Sequence, residues 1–228
     1  MAATSPLPNL LNPQLLVRAY ATGIFPMSES RHDPSVFWVD PQVRGILPLD
    51  TFHVSCSLKK KIRKHYFSVE FNIDFPAVIE ACAETPRPGQ GTWINNQIID
   101  AYTELYTLGI AHSVECRLDG KLVGGLYGVS LNGVFCGESM FSHETDASKV
   151  ALVHLVARLK YCKMQLLDTQ FVTDHLKKFG AIEIPARDYL MRLNHAMKSK
   201  AKFQLDVSGE DSWSSVESLL KQSSSQTS

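Results

Sequence analysis

Asp168 and Gln170 stand two apart in LLDTQ, residues 166–170. That run reads as a short strand, so both side chains are expected on one face. A carboxylate beside an amide can accept a hydrogen bond from an amine, orient it, pass its proton, or answer a cationic side chain. Glu138 follows Gly137 at the end of another strand-like run, where a residue without a side chain lets a ligand come close to the backbone. Its carboxylate could hold an amino group or a ribose hydroxyl. The plain alternatives are structural. Asp168 could end its strand and cap the next turn, and Glu138 could be a surface or salt-bridged carboxylate.

Other residue types narrow the chemistry. Lys59, Lys60, Lys61, Arg63 and Lys64 form the one dense basic run; the usual meaning of such a run is a solvated helix face. Trp38 and Trp93 lie beside prolines or glycines in loop-like segments, free to stack on a base or to be buried. His53, His112, His143 and His175 show no ligand spacing. The cysteines, Cys56, Cys82, Cys116, Cys136 and Cys162, are odd in number and contain no C-x-x-C, so no metal is assigned and free thiols in a reducing compartment are expected. GQG at 89–91 resembles a phosphate loop only weakly and reads as a turn.

The chain has 228 residues, with 44% hydrophobic and 20% charged side chains, an ordinary globular balance. Its formal net charge is +0, which argues against an extended duplex-binding surface and confines any nucleic-acid contact to a local patch. The N-terminus lacks the basic start and apolar run of a signal peptide. No stretch approaches the roughly 20 apolar residues of a membrane span. A monomer in the cytoplasm is the expectation.

The elements that must position these residues follow from periodicity and caps. Asn12 and Pro13 begin a helix that Gly23 ends. Prolines in FWVDPQVRGILPL suit extended segments. Ser57 to Lys64 reads as a short helix, Asp74 caps another to about Ala83, and Ile98, Tyr102 and Leu105 lie on a longer one ended by Gly109. The centre changes to period two. Asp119-Gly120 and Asn132-Gly133 are hairpin turns joining strands 111–118, 121–130 and 134–137. ESMFSHETD reads as a loop. Asp146 is expected to cap an apolar, buried helix. A strand at 164–169, a helix at 171–179 and a last helix from Pro185 complete the pattern. The fold class is mixed α/β, a largely antiparallel-centred sheet with flanking helices. The expected organisation is a small N-terminal subdomain at 1–65, a main domain at 66–207 and a fraying Ser-rich tail at 208–228.

Several segments together resemble the leucyl/phenylalanyl-tRNA–protein transferase family. They are GIFPM (23–27), GTWI (91–94), AHSVE (111–115), LVGGLYGV (122–129), FCGESMFS (135–142), LLDTQ (166–170) and FGAIEIP (179–185). GESMFS followed some thirty residues later by D-x-Q is the specific part. The resemblance runs from about Asn12 to about Met197. Members often carry an extra stretch before this point, and many have Trp where this chain has Arg117.

The resemblance implies an acetyltransferase-like fold. It implies transfer of Leu, Phe or Met from aminoacyl-tRNA to proteins beginning with Arg or Lys, marking the acceptor for N-end-rule degradation, with no cofactor. It points to Asp168, Gln170 and Glu138 as catalytic, and to Leu126, Phe135, Met140, Leu152 and Leu167 as an apolar pocket for the donated side chain. For each of the five, core packing is the plain alternative. It also implies that Trp38 and Trp93 stack on the terminal adenosine, that Gly137 adjoins it, and that Lys59, Lys60, Arg63 and Lys64 meet acceptor-stem phosphates. An acetyl-CoA-dependent acyltransferase is the runner-up, but no pyrophosphate-binding glycine turn precedes the helix after Asp146, where the chain reads ETDASK. A non-catalytic tRNA-binding module would use the basic run and tryptophans but has no need of D-x-Q.

Overall fold

The structure, a computed structural model, describes residues 11–85 and 91–225. The start of the N-terminal segment, most of the GQG turn and the last three residues lie outside the described residues.

Local chemistry sets the helix starts. In α1 (Pro13–Ala21) the Asn12 side chain accepts from the Leu15 N–H at 2.8 Å, and Pro13 supplies a preset φ where no donor is needed. Ser55, Asp74 and Asn95 cap α2 (Cys56–Arg63), α3 (Phe75–Glu84) and α4 (Asn96–Thr107) in the same way. The two hairpin turns join β5 (Ala111–Leu118), β6 (Lys121–Leu131) and β7 (Val134–Ser142). Asp119 and Asn132 take the left-handed backbone these turns require, with φ near 50° in both.

One seven-stranded sheet organises the protein. Its order is β4 (Ser68–Phe71), β5, β6, β7, β8 (Leu166–Gln170), β3 (Val43–Ile46), β9 (Ile182–Pro185). Every neighbouring pair is antiparallel except β7–β8, which is parallel. The N-terminal β1 (Phe25–Met27) and β2 (Phe37–Val39) form a separate ribbon. The expected mixed, antiparallel-centred α/β architecture is therefore found. Among the described residues no helix is long and apolar enough to cross a membrane.

Helices cover both faces. On one side α5 (Ala147–Tyr161) lies across β5, β6 and β7 and is itself flanked by α2 and by α8 (Gly209–Ser225). Being covered on nearly all sides explains its apolar circumference. Its start presses on β6 so closely that a Cβ at Gly124 would lie 2.4 Å from that of Ala147. The other face is packed by α1, α3, α4 and α7 (Ala186–Met197) around Tyr20, Phe75, Tyr102 and Tyr127.

Five expectations need correction. ESMFS is not a loop: β7 runs to Ser142, with a bulge that places Gly137 opposite Gly128 and Ser139 opposite Tyr127. The extra residue, Glu138, breaks the period-two pattern and hides the strand. Asp146 occupies the cap position of α5 with φ 74° but gives its side chain to Lys61 and Lys149 instead of the helix. The helix expected at 171–179 is the single turn α6 (Asp174–Lys177), started by Thr173. The boundary at 65 does not separate two bodies, because β3 sits inside the main sheet between β8 and β9. The Ser-rich segment is helical: Trp213, Val216, Leu219 and Leu220 form an apolar stripe docked against α5, and the last three are at most 1% exposed.

That docking makes a measurable statement. Leu220→Ala should lower the unfolding free energy by about 2–4 kcal/mol, as for other buried leucines. Urea denaturation reads this directly, and a loss below about 0.5 kcal/mol, the ordinary surface range, would show that α8 is not part of the core.

Candidate active site

The parallel pair β7–β8 is short. It is registered only at Val134↔Leu166, Phe135↔Leu167 and Cys136↔Asp168. Beyond Cys136, β7 stays with β6, while the end of β8 stays with β3, where Gly45 faces Gln170. The sheet therefore forks. Gly137 sits at the fork, and a Cβ built there would come no closer than 3.6 Å to protein atoms. The glycine is not forced by packing and leaves that space open.

Two side chains bridge the fork. Gln170 Nε2 donates to Glu138 Oε1 at 3.0 Å, and Tyr102 of α4 donates to Glu138 Oε2 at 3.3 Å. The Tyr102 hydroxyl is in turn hydrogen-bonded to that of Tyr20 from α1. The bulge allows this. It turns Glu138 towards α1 and α4, while Met140 beyond it packs on the α5 side. Neither tyrosine was expected at the site from the sequence.

Asp168 does not face the same space as Gln170. It is 0% exposed and clasped by Arg44, which is 1% exposed. Arg44 Nε donates to Asp168 Oδ1 at 2.9 Å and Nη2 to Oδ2 at 2.6 Å. Tyr189 of α7 donates to Oδ2 at 2.8 Å, and the Gln170 backbone N–H donates to Oδ1 at 2.9 Å. The expected shared face fails because Gln170 leaves the extended region, with φ 55°. Asp168 holds the backbone of Gln170, and Gln170 presents its amide to the fork. Both Asp168 oxygens are thus already engaged by protein donors.

Arg44 is the member of this buried cluster that sequence reasoning missed. It is sandwiched between the Phe25 and Tyr189 rings, at 4.6 and 4.4 Å from their centres. Its remaining Nη1 donates to the Gly23 carbonyl at 2.7 Å. The signal was present: a lone charge in VRGI, a run otherwise suited to a buried strand.

Electrostatics perturbs the Glu138 carboxyl. Burial raises the Glu138 carboxyl from 4.5 to about 8; the hydroxyls of Tyr20 and Tyr102 pull it down, and the Asp168 charge pushes it up. Burial and then the Glu138 charge hold Tyr20 and Tyr102 well above their ordinary values. Burial alone would lower the Arg44 guanidinium, but Asp168 more than offsets this and holds it above its usual range.

The other residues singled out from the sequence divide. Leu126, Phe135, Met140, Leu152 and Leu167 belong to one cluster between α5 and the sheet; four are buried and Met140 is half-buried. Trp38 is 40% exposed on β2, and Trp93 is partly buried against the α1 and α3 side. The basic run does not form one solvated patch. Lys59 is buried, a correction that follows from its place on the inner face of α2 beside Leu58 and Ile62. Lys60 and Lys64 are exposed, Arg63 is exposed but paired with Glu217 at 3.2 Å, and Lys61 is paired with Asp146 at 2.8 Å.

A family profile described as leucyl/phenylalanyl-tRNA protein transferase matches residues 46–194. The profile for the N-terminal domain of that family matches residues 9–42. The leucyl/phenylalanyl-tRNA–protein transferase of Zymomonas mobilis is 57% identical over 191 residues, covering 84% of this chain and 71% of that protein. The protein of that name from Paramagnetospirillum magneticum is 54% identical over 193 residues, 85% of this chain and 92% of its own. That from Rhodopseudomonas palustris is 56% identical over 194 residues, 85% and 86% respectively. The chain belongs to the leucyl/phenylalanyl-tRNA protein transferase family.

Two outcomes test the electrostatics. Arg44→Met leaves a buried carboxylate unpaired and should cost about 3–5 kcal/mol of stability, while adding Asp168→Leu should restore a large part of it. A single variant as stable as the wild type in urea would remove the pair from its supporting role. Glu138 binds its proton more tightly folded than unfolded, so raising the pH from 4.5 towards 8 costs the folded state stability. Glu138→Gln should therefore gain on the wild type in Tm between pH 5 and pH 8.5; a gap that stays constant would show that the carboxyl is not raised.

Proposed function

We propose that this protein transfers Leu, Phe or Met from aminoacyl-tRNA to the N-terminal amine of proteins beginning with Arg or Lys, in the cytoplasm, where it marks the acceptor for N-end-rule degradation. The observation that carries this reading is the Glu138–Gln170 bridge across the fork, beside an apolar cluster, in a chain of this family.

The chemistry asks little of the protein. The aminoacyl ester is already activated, so neither ATP nor a cofactor is required. The α-amine has an ordinary pKa of about 7.7–8.0 and is partly neutral near pH 7. It attacks the ester carbonyl, the new C–N bond forms, the C–O bond to the terminal ribose breaks, and one proton passes from the amine to the departing ribose hydroxyl. Gln170 orients the amine. Glu138, with a carboxyl near the amine's own pKa, accepts its proton and returns one to the ribose oxygen. Arg44 and Asp168 act through Gln170 by fixing its backbone. Holding ester and amine together can contribute on the order of 7–11 kcal/mol.

The remaining roles follow chemical type. Leu126, Phe135, Met140, Leu152 and Leu167 receive the donor side chain, Met140 being the adaptable, half-buried member. Trp38 and Trp93 stack on the terminal adenosine, each worth about 1–3 kcal/mol. Lys60, Lys64 and Arg63 contact acceptor-stem phosphates. An acetyl-CoA reading has weak support, since Asp146 places a carboxylate at the start of α5, where a pyrophosphate would have to lie.

The test is transfer of label from Leu-tRNA or Phe-tRNA to a peptide beginning with Arg, without ATP or CoA. Gln170→Ala should reduce kcat by about 100-fold with tRNA affinity little changed. No label in the peptide, a requirement for CoA, or full turnover by Gln170→Ala would each reject the reading.

A further inference from the structure

A second cleft, of about 400 Å3, opens between α2, β4, α5 and α8. It is built partly from residues beyond the family match, which ends at 194. Trp213 of α8 forms one wall, its ring 4.3 Å from that of His65 at the end of α2. Tyr66 and Lys61 line the same cleft, with Lys61 Nζ 5.5 Å from the Tyr66 ring centre. His154 of α5 also lines it; burial and then the nearby His65 and Arg158 lower this imidazole to about 4, so it stays neutral. Ser68 and Ser212 add hydroxyls.

The lining is selective in kind. No carboxylate among the described residues lines the cleft. Asp146 holds Lys61 at 2.8 Å but is not itself part of the lining. An ammonium group would therefore find no counter-charge, which disfavours amines and free amino acids. An anion would meet Lys61 and His65. The ring walls favour a flat aromatic group over an aliphatic chain. The volume falls in the range of small-ligand sites.

We propose that this cleft is a nucleotide site, with the base against Trp213 and the phosphate beside Lys61 and His65. Two sources carry that chemistry: a free mononucleotide, or an unpaired nucleotide of tRNA held on the exposed Lys60 and Lys64 of the same helix. Stacking of a base on an aromatic ring beside a cation is the ordinary means of holding one without pairing.

The full chain should be titrated by calorimetry with AMP and CMP, and separately with adenosine and with inorganic phosphate. A mononucleotide should bind with Kd below about 1 mM, and the nucleoside or phosphate alone at least about tenfold more weakly. His65→Ala should weaken the mononucleotide by about tenfold. Ser212→Tyr, which places a ring in the cleft from α8, should abolish this binding while circular dichroism and Tm confirm the fold. Displacement of the mononucleotide by uncharged tRNA would assign the site to tRNA, and coexistence would assign it to a free nucleotide. The proposal is overturned if neither mononucleotide saturates by about 10 mM, or if binding survives unchanged in both variants.

Discussion

The Arg44–Asp168 ion pair is the constraint on which the rest depends. Removing two charges from water costs several kcal/mol for each ion, and attraction repays it only when the geometry is good and the remaining hydrogen-bonding sites are filled. Here they are filled. Asp168 accepts from Arg44, Tyr189 and the Gln170 backbone, while Arg44 also reaches the Gly23 carbonyl and lies between two rings. The pair ties together the turn before β1, strands β3 and β8, and helix α7. An apolar pair of similar shape could give comparable stability. It could not accept the Gln170 N–H, and so could not hold that residue in a left-handed conformation that points its amide at the fork.

Charge neutralisation has a second effect, on Glu138. A bare Asp168 carboxylate nearby would push the Glu138 proton still higher, and Arg44 opposes that push. The tyrosine hydroxyls act in the same direction as Arg44. Burial is left as the largest influence, and it places the carboxyl at about 8. A carboxyl held there can take up or release a proton near neutral pH. The bulge in β7 is what delivers this group to the α4 side of the sheet while Met140 still packs beneath α5. One extra residue thus joins the polar and apolar halves of the site.

Much of this was legible where short-range chemistry decides. Asn12 and Asp74 cap the helices that follow them, and Asp-Gly and Asn-Gly set the hairpins. The apolar circumference of α5 signalled a helix covered on nearly all sides. What escaped was decided by partners distant in the chain. Arg44 and Asp168 are 124 residues apart, and no local pattern links them. Glu138 was found as a residue but not as a bulge, because the extra position breaks the alternation by which strands are read. Lys59 looked like one more surface lysine until α2 was packed and its inner face identified. In α8, abundant serines suggested fraying, yet four apolar residues on one stripe were enough to dock it.

Asp146 and α8 together show how an apparently plain basic helix becomes a directional one. The lysines and arginine of α2 point around most of its circumference. Lys59 is buried, Lys61 is paired with Asp146 and also lines the cleft beside α8, and Arg63 is drawn towards Glu217 of α8. Among the described residues Lys60 and Lys64 stand in no ion pair on the exposed side, four residues apart and so one turn above the other on a single face. A net charge of +0 is then no obstacle to a local nucleic-acid contact. Asp146 and Glu217 offset the charges of Lys61 and Arg63 and leave the positive field concentrated on that stripe. The orientation of such a contact is set by what the neighbouring carboxylates cancel as much as by the cations themselves.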